Sequence, residues 1–271
     1  MGLSSYVLED LIDLKRRGAL EGDNSVIEIG AQQLSNDFLR STRLLDELYS
    51  LFGKTRPDFG SVMDAGFVDG LEAQASDAPS SRAFWQSLDF DYKSVEFDGH
   101  RDSVAIDLNR DSAPRQLRRR FSLTLNGGTT EHVANQDNAF RVLHDLTSVG
   151  GIMMHIVPAG GHMNHGLVNY NMKFFWHLCR DNPYQVMSLR MISLGCEPVP
   201  ENVLNSNVAY GRDMPYLEDA SSVPNFLIMA SLRKNSDAPY STPMDIPIEF
   251  MRKKTPQRSF GLDLFRKFRL P

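Results

Sequence analysis

Ser25-Val26-Ile27-Glu28-Ile29-Gly30-Ala31-Gln32 is a short apolar run broken by one acid and closed by a glycine. Such a run reads as a buried strand. Gly30 lets the backbone approach a ligand with no Cβ in the way, and the next helix N-terminus offers free N–H groups. Upstream, residues 4–17 place Val7, Leu8, Leu11, Ile12 and Leu14 on one helical stripe, with Ser4 or Ser5 as cap. Downstream, Ser35 or Asn36 opens a second helix carrying Phe38, Leu39, Leu44, Leu45, Leu48 and Leu51, which ends at Gly53.

Residues 54–91 are rich in Gly, Ser, Asp and Ala, with a helical patch only around Ala83–Leu88. They read as an insertion or lid, since a structureless loop of that length is uncommon in a compact domain. Strands are expected at 92–98, 103–108, 121–126 and 152–157, helices at 138–146 and 172–180, and two late strands at 185–194 and 225–233. Strands separated by helices predict an α/β domain, a mainly parallel seven-stranded Rossmann-like sheet with helices on both faces. Ligands bind such sheets at the carboxyl ends of the strands, near the switch in strand order. That rule nominates Gly30, Ala31 and Gln32; Glu96 to Gly99, with Asp98; Asp107, Leu108 and Asn109; Asn126 to His132; and Pro158 to Tyr170.

The 271 residues are 41% hydrophobic and 23% charged, a globular composition. The 29 Lys and Arg against 34 Asp and Glu give a net charge of −5, which offers no general pull toward nucleic acid or membrane. No apolar stretch approaches the length of a membrane span. The first residues mix acids with bases, unlike a signal peptide, and Tyr6 breaks the myristoylation pattern. Cys179 and Cys196 are too few for a disulfide scaffold and lack zinc spacing. The expectation is a soluble, cytoplasmic protein. From Met251 onward the tail carries seven Lys or Arg interleaved with Phe260, Leu262, Leu264, Phe265 and Phe268. This basic amphipathic segment, 241–271, would pack on its own domain, on a twin subunit in a homodimer, or on an anionic partner.

Three positions carry chemistry. Glu96 ends a strand where an acid can accept two hydrogen bonds from a ribose diol. Asp107 ends the next, near where a base ring would lie. In Asn126-Gly127-Gly128-Thr129-Thr130-Glu131-His132, hydrogen-bonding groups are concentrated at the exit of a buried strand.

In this order the segments resemble the class I S-adenosylmethionine-dependent methyltransferases, in the group with a G-T-x-E-H signature. Val26-Ile27-Glu28-Ile29-Gly30 is similar to the first motif, around the methionine part of the cofactor. Val95-Glu96 resembles the acidic motif at the ribose, and Asp107-Leu108 the motif beside the adenine. Gly128-Thr129-Thr130-Glu131-His132-Val133 resembles the fourth, and Leu143 to Pro158, with Gly150-Gly151, the helix and strand that follow. The resemblance covers about residues 5–235 and implies a cofactor-binding domain over 1–240 with an antiparallel C-terminal hairpin. Three departures stand out: the first loop has a single glycine, the interval from Glu28 to Glu96 is long, and Phe121-Ser122 replaces a Phe-Asp pair.

The resemblance implies methyl transfer from S-adenosylmethionine to a small-molecule acceptor, such as a sugar or natural-product hydroxyl. That displacement requires alignment and exclusion of water, and a base if the acceptor is a hydroxyl, but no metal. The loop Pro158 to Tyr170 is the acceptor-side element. His162 or His165 is the expected base, with His132 a third choice, and Tyr170 and Asn169 would orient the acceptor. Two rivals stay open. A non-catalytic relative could bind the cofactor or scaffold a partner. Alternatively His155, His162, His165 and Glu131 could hold a metal in a hydrolase.

Overall fold

The computed structural model describes residues 2–57, 80–99, 103–162, 165–198 and 222–245. Most of the proposed insertion (58–79), two residues of the acceptor-side loop (163–164) and the tail from 246 lie outside the described residues.

Helix α1 (Ser5–Arg16) precedes β1 (Ser25–Ile29), and α2 (Asn36–Arg40) and α3 (Thr42–Leu51) follow it. Sequence periodicity predicts one helix over this last stretch, whereas the chain breaks at Ser41, whose hydroxyl donates back to the Asp37 carbonyl. A serine bonding its own backbone in this way competes with the helical ladder. Ser35 caps α2 by accepting from Phe38 N–H. Helix α4 (Ser81–Ser87) leads into β2 (Asp91–Glu96) and the two-residue β3 (Val104–Ala105). After β3 the chain turns at once, where Asp107 accepts from Asn109 N–H and Asp111 accepts from Asp107 N–H. These side-chain turns end the third strand well short of the predicted Leu108.

Then come β4 (Phe121–Gly127), a 3₁₀ turn at Thr130–His132, α5 (Gln136–Leu146), β5 (Thr147–Gly160), α6 (Met172–Asp181), β6 (Tyr184–Pro198) and β7 (Ser222–Lys234). Gly150 and Gly151 sit inside β5 rather than before it, because the strand resumes directly from the end of α5. Buried Lys234 ties this junction down, its ammonium donating to the carbonyls of His144 and Thr147.

The sheet order is β3-β2-β1-β4-β5-β7-β6. β1 to β5 pair in parallel, and β7 runs antiparallel to both β5 and β6, the C-terminal hairpin expected from sequence. β1 is buried along its whole length because both faces are covered. On one face Val26, Leu123, Leu125 and Met154 pack with Leu8, Leu11, Leu45 and Trp85 from the helices. On the other, Ile27 and Ile29 pack with Val142 and Leu143 of α5. This is a doubly covered Rossmann-like α/β sheet. Its order reverses between β1 and β4, so a crevice opens beyond their carboxyl ends.

Candidate functional site

The turn after β1 is held from beneath by Glu28. The side chain is fully buried and accepts from Gln32 N–H at 2.8 Å, Ser81 Oγ at 2.7 Å, Trp85 Nε1 at 2.7 Å and Tyr92 Oη at 2.9 Å. Burial pushes its carboxyl up, and these four donors oppose that shift. Two of the donors come from α4, so the end of the sequence-predicted lid that the structure describes forms part of the core under the first loop.

Above Glu28, Gly30 has φ +79°, in the left-handed region. A Cβ there would stand 2.3 Å from Thr129 Oγ1, which itself donates to the Ile29 carbonyl at 2.6 Å. The first loop and the loop after β4 are thereby locked together. Ala31 N–H donates to Glu96 Oε1 at 2.7 Å, fixing the acid at the end of β2 against the same turn. Gln32 folds back to donate to the Gly30 carbonyl, while its buried Oε1 accepts no hydrogen bond from the described residues.

A crevice of about 540 Å³ opens over this turn. Gly30, Ala31, Gln32, Glu96, Asp107, Leu108, Gly128, Thr129 and His132 line it, all nominated by sequence. Val95, Phe97, Ile106, Asn109 and Val133 line it as well. Phe97 and Asn109 also fall inside the stretches that the strand-end rule nominates. Gly2 and Gln33 also line the crevice and had no such signal, because they arrive through the pairing of Leu3 with Leu34. Glu28 lies beneath the crevice, Asp98 is exposed outside it, and Gly127 lies inside β4.

Asn126 is buried and works within the protein. Its amide donates to Thr130 Oγ1 at 2.8 Å and its Oδ1 accepts from Thr130 N–H at 3.2 Å. Tyr170 joins this network, its hydroxyl donating to Gln136 Oε1 and sharing a hydrogen bond with the Thr130 hydroxyl, and burial pushes its phenol up. Tyr170 is thus a buried strut that holds the 3₁₀ turn in place. Asn169 donates to the Gly161 carbonyl within its own loop.

The turn so braced presents Glu131 and His132. The Glu131 carbonyl accepts from Leu167 N–H and Val168 N–H, which lays the acceptor-side loop against it. Gly166 permits the approach, since a Cβ there would sit 3.0 Å from Glu131 Cγ. His165 Nε2 consequently comes to 3.7 Å from Glu131 Oε1, and His132 Nε2 to 4.0 Å from the same oxygen. The His162 ring centroid lies 5.8 Å from that of His165, and its buried Nε2 has no hydrogen-bond partner among the described residues. Burial lowers the His132 imidazole and raises the Glu131 carboxyl.

His155 stays apart from this group. It stacks on Phe140 within β5, with Nδ1 3.3 Å from the Asn126 amide, and its pKa is pushed down to about 3 by burial. The quartet His155, His162, His165 and Glu131 is therefore not the set that converges. Among the described residues Glu131, His132 and His165 do, with ligand atoms all within 4.8 Å of one another. No helix among the described residues is long and apolar enough to cross a membrane.

The chain matches no protein-family model, and no curated protein matches it. Some solved structures are similar to it at low identity. Protein BH2331 of Bacillus halodurans is 10% identical, covering 84% of this chain and 100% of that one, with a TM-score of 0.44. The 1,6-didemethyltoxoflavin-N1-methyltransferase of Burkholderia thailandensis, solved with 1,6-didemethyltoxoflavin and S-adenosylhomocysteine, is 10% identical over 84% of this chain and 78% of that one, at 0.40. The phosphoethanolamine N-methyltransferase 2 of Haemonchus contortus, solved with S-adenosyl-L-methionine, is 11% identical over 83% and 52%, at 0.37. Likeness this slight assigns no activity to the chain.

Proposed function

We propose that the crevice binds S-adenosylmethionine and that the protein is a methyltransferase acting on a small-molecule acceptor, most simply a hydroxyl. The observation that carries this reading is the convergence of the Gly30–Gln32 turn with Glu96 and Asp107 at adjoining strand ends, beside the reversal of strand order. The residues fit the cofactor's chemistry in three ways. Glu96 is a strand-end carboxylate with acceptor capacity beyond its one bond to Ala31, as a ribose diol requires. Gln32 Oε1 is a buried acceptor with no donor among the described residues, suited to an ammonium group. Ile106 and Leu108 offer apolar walls beside Asp107 for a base ring. When bound, the sulfonium supplies an activated methyl group and loses its positive charge on transfer.

The acceptor side is the edge where His132 leaves the crevice and meets Glu131, His165 and His162. A hydroxyl entering there finds imidazoles that can take its proton, and the loop at 158–170 would supply the remaining contacts. Calorimetry with S-adenosylmethionine and S-adenosylhomocysteine tests the reading. Saturable binding of one molecule per chain is expected, and absence of binding at high micromolar concentration would overturn it.

A further inference from the structure

The cluster of Glu131, His132 and His165 has a property that hydrogen bonding inside the protein does not account for. Glu131 has no exposed side-chain surface, yet neither carboxylate oxygen accepts a hydrogen bond from another residue among the described residues. A buried carboxylate left this way is costly unless a cation or donor completes it. Among the described residues, imidazole Nε2 atoms of His165 and His132 face it, at 3.7 and 4.0 Å from Oε1. That is beyond hydrogen-bond range. It is close to the separation of about 3.4 Å between two ligands that each sit about 2.0–2.1 Å from one tetrahedral ion.

We infer that Glu131, His132 and His165 form a binding site for one divalent transition-metal ion at the acceptor edge of the crevice. Two imidazoles and a carboxylate favour a zinc-like ion over magnesium or calcium, which prefer all-oxygen shells. Three protein ligands leave a position open, as catalytic rather than structural zinc sites do. The ligands are positioned by separate devices: the Asn126–Thr130–Tyr170 network fixes the turn bearing Glu131 and His132, and Gly166 lets the loop bearing His165 close on it. The half-exposed imidazoles leave a path for the ion to enter.

The ion's role rests on the methyl-transfer reading. An acceptor hydroxyl in the open position would have its pKa lowered by the ion. His165, as a ligand, would then be unavailable as a base, leaving His162, whose Nε2 has no partner among the described residues, to receive the proton. Sequence reasoning asks for no metal because methyl transfer does not need one; the requirement here comes from Glu131.

The test is titration of the full chain, free of any affinity tag, with cobalt(II) chloride followed by visible absorption, and with zinc chloride by calorimetry. One ion per chain is expected, with affinity falling at least about tenfold in each of Glu131→Gln, His132→Ala and His165→Ala. Circular dichroism checks that each variant is folded, and the two partly exposed histidines keep the test valid if Glu131→Gln is not. No saturable binding, or unchanged affinity in the folded variants, overturns the site. Calorimetry with S-adenosylmethionine on the same samples separates the two readings. Metal binding without cofactor binding counts against methyl transfer alone, and cofactor binding without metal binding counts against this site alone.

Discussion

Trp85 donates its indole N–H to Glu28 Oε1 at 2.7 Å, joining a helix of the long excursion to the centre of the first strand. Both side chains are fully buried, and Trp85 also packs against Phe84 and Phe90. The bond sets the floor of the crevice, because the other Glu28 oxygen accepts from Gln32 N–H in the turn above.

Removing that donor leaves a buried carboxylate oxygen unsatisfied. Trp85→Phe is expected to lower stability by about 1.5–3 kcal/mol, the range for hydrogen bonds to charged groups. Urea unfolding followed by circular dichroism measures it, and a midpoint equal to wild type would show that the bond contributes nothing.

Gly30→Ala combines a backbone in the left-handed region with a Cβ driven into Thr129 Oγ1. A cost of about 1–3 kcal/mol is expected from strain of this kind. S-adenosylmethionine affinity should fall as well, since the turn and the loop after β4 must separate. Thermal melts and calorimetry on one sample check both effects.

Glu96→Ala removes the acceptor of Ala31 N–H as well as the acid proposed for the ribose. Cofactor affinity should weaken by about 1.5–3 kcal/mol, roughly 10- to 150-fold. Glu96→Gln, which keeps an acceptor for Ala31, should recover part of it. Equal affinity in wild type and Glu96→Ala would take Glu96 out of the site.

Acid should destabilise the fold earlier than carboxylate chemistry alone predicts. Burial pushes His155 down to about 3 and His144 down to about 4, so both rings stay neutral in the folded chain. Unfolded histidines take up protons near pH 6.5, so below that pH the unfolded state binds protons that the folded state refuses. Stability therefore falls as pH drops from about 6.5 toward those values. Urea midpoints at pH 7 and pH 5 should show the loss, and His155→Gln should reduce the difference between them. An equal difference in that variant would exclude His155 as a source.

Much of the architecture was legible in the sequence, because it is written in short-range patterns. Period-two and helical spacing of apolar residues, with glycines at strand ends, report which faces each segment must bury. That is enough to place the strands along the chain and to nominate Gly30, Ala31, Gln32, Glu96, Asp107, Leu108, Gly128, Thr129 and His132 for one crevice. The break at Ser41 and the early end of β3 escaped, since each turns on a side chain bonding its own backbone against the apolar pattern.

The tertiary structure alone decided what each polar group does. Glu28 and Glu131 look alike in sequence, each an acid at or just after a strand. One donor from the adjoining turn and three from distant positions surround the first, while among the described residues the second faces two imidazoles and accepts from no other residue. A carboxylate's role depends on which charges and donors lie within a few ångströms, and most of those neighbours, Ser81, Trp85, Tyr92 and His165, come from tens of positions away.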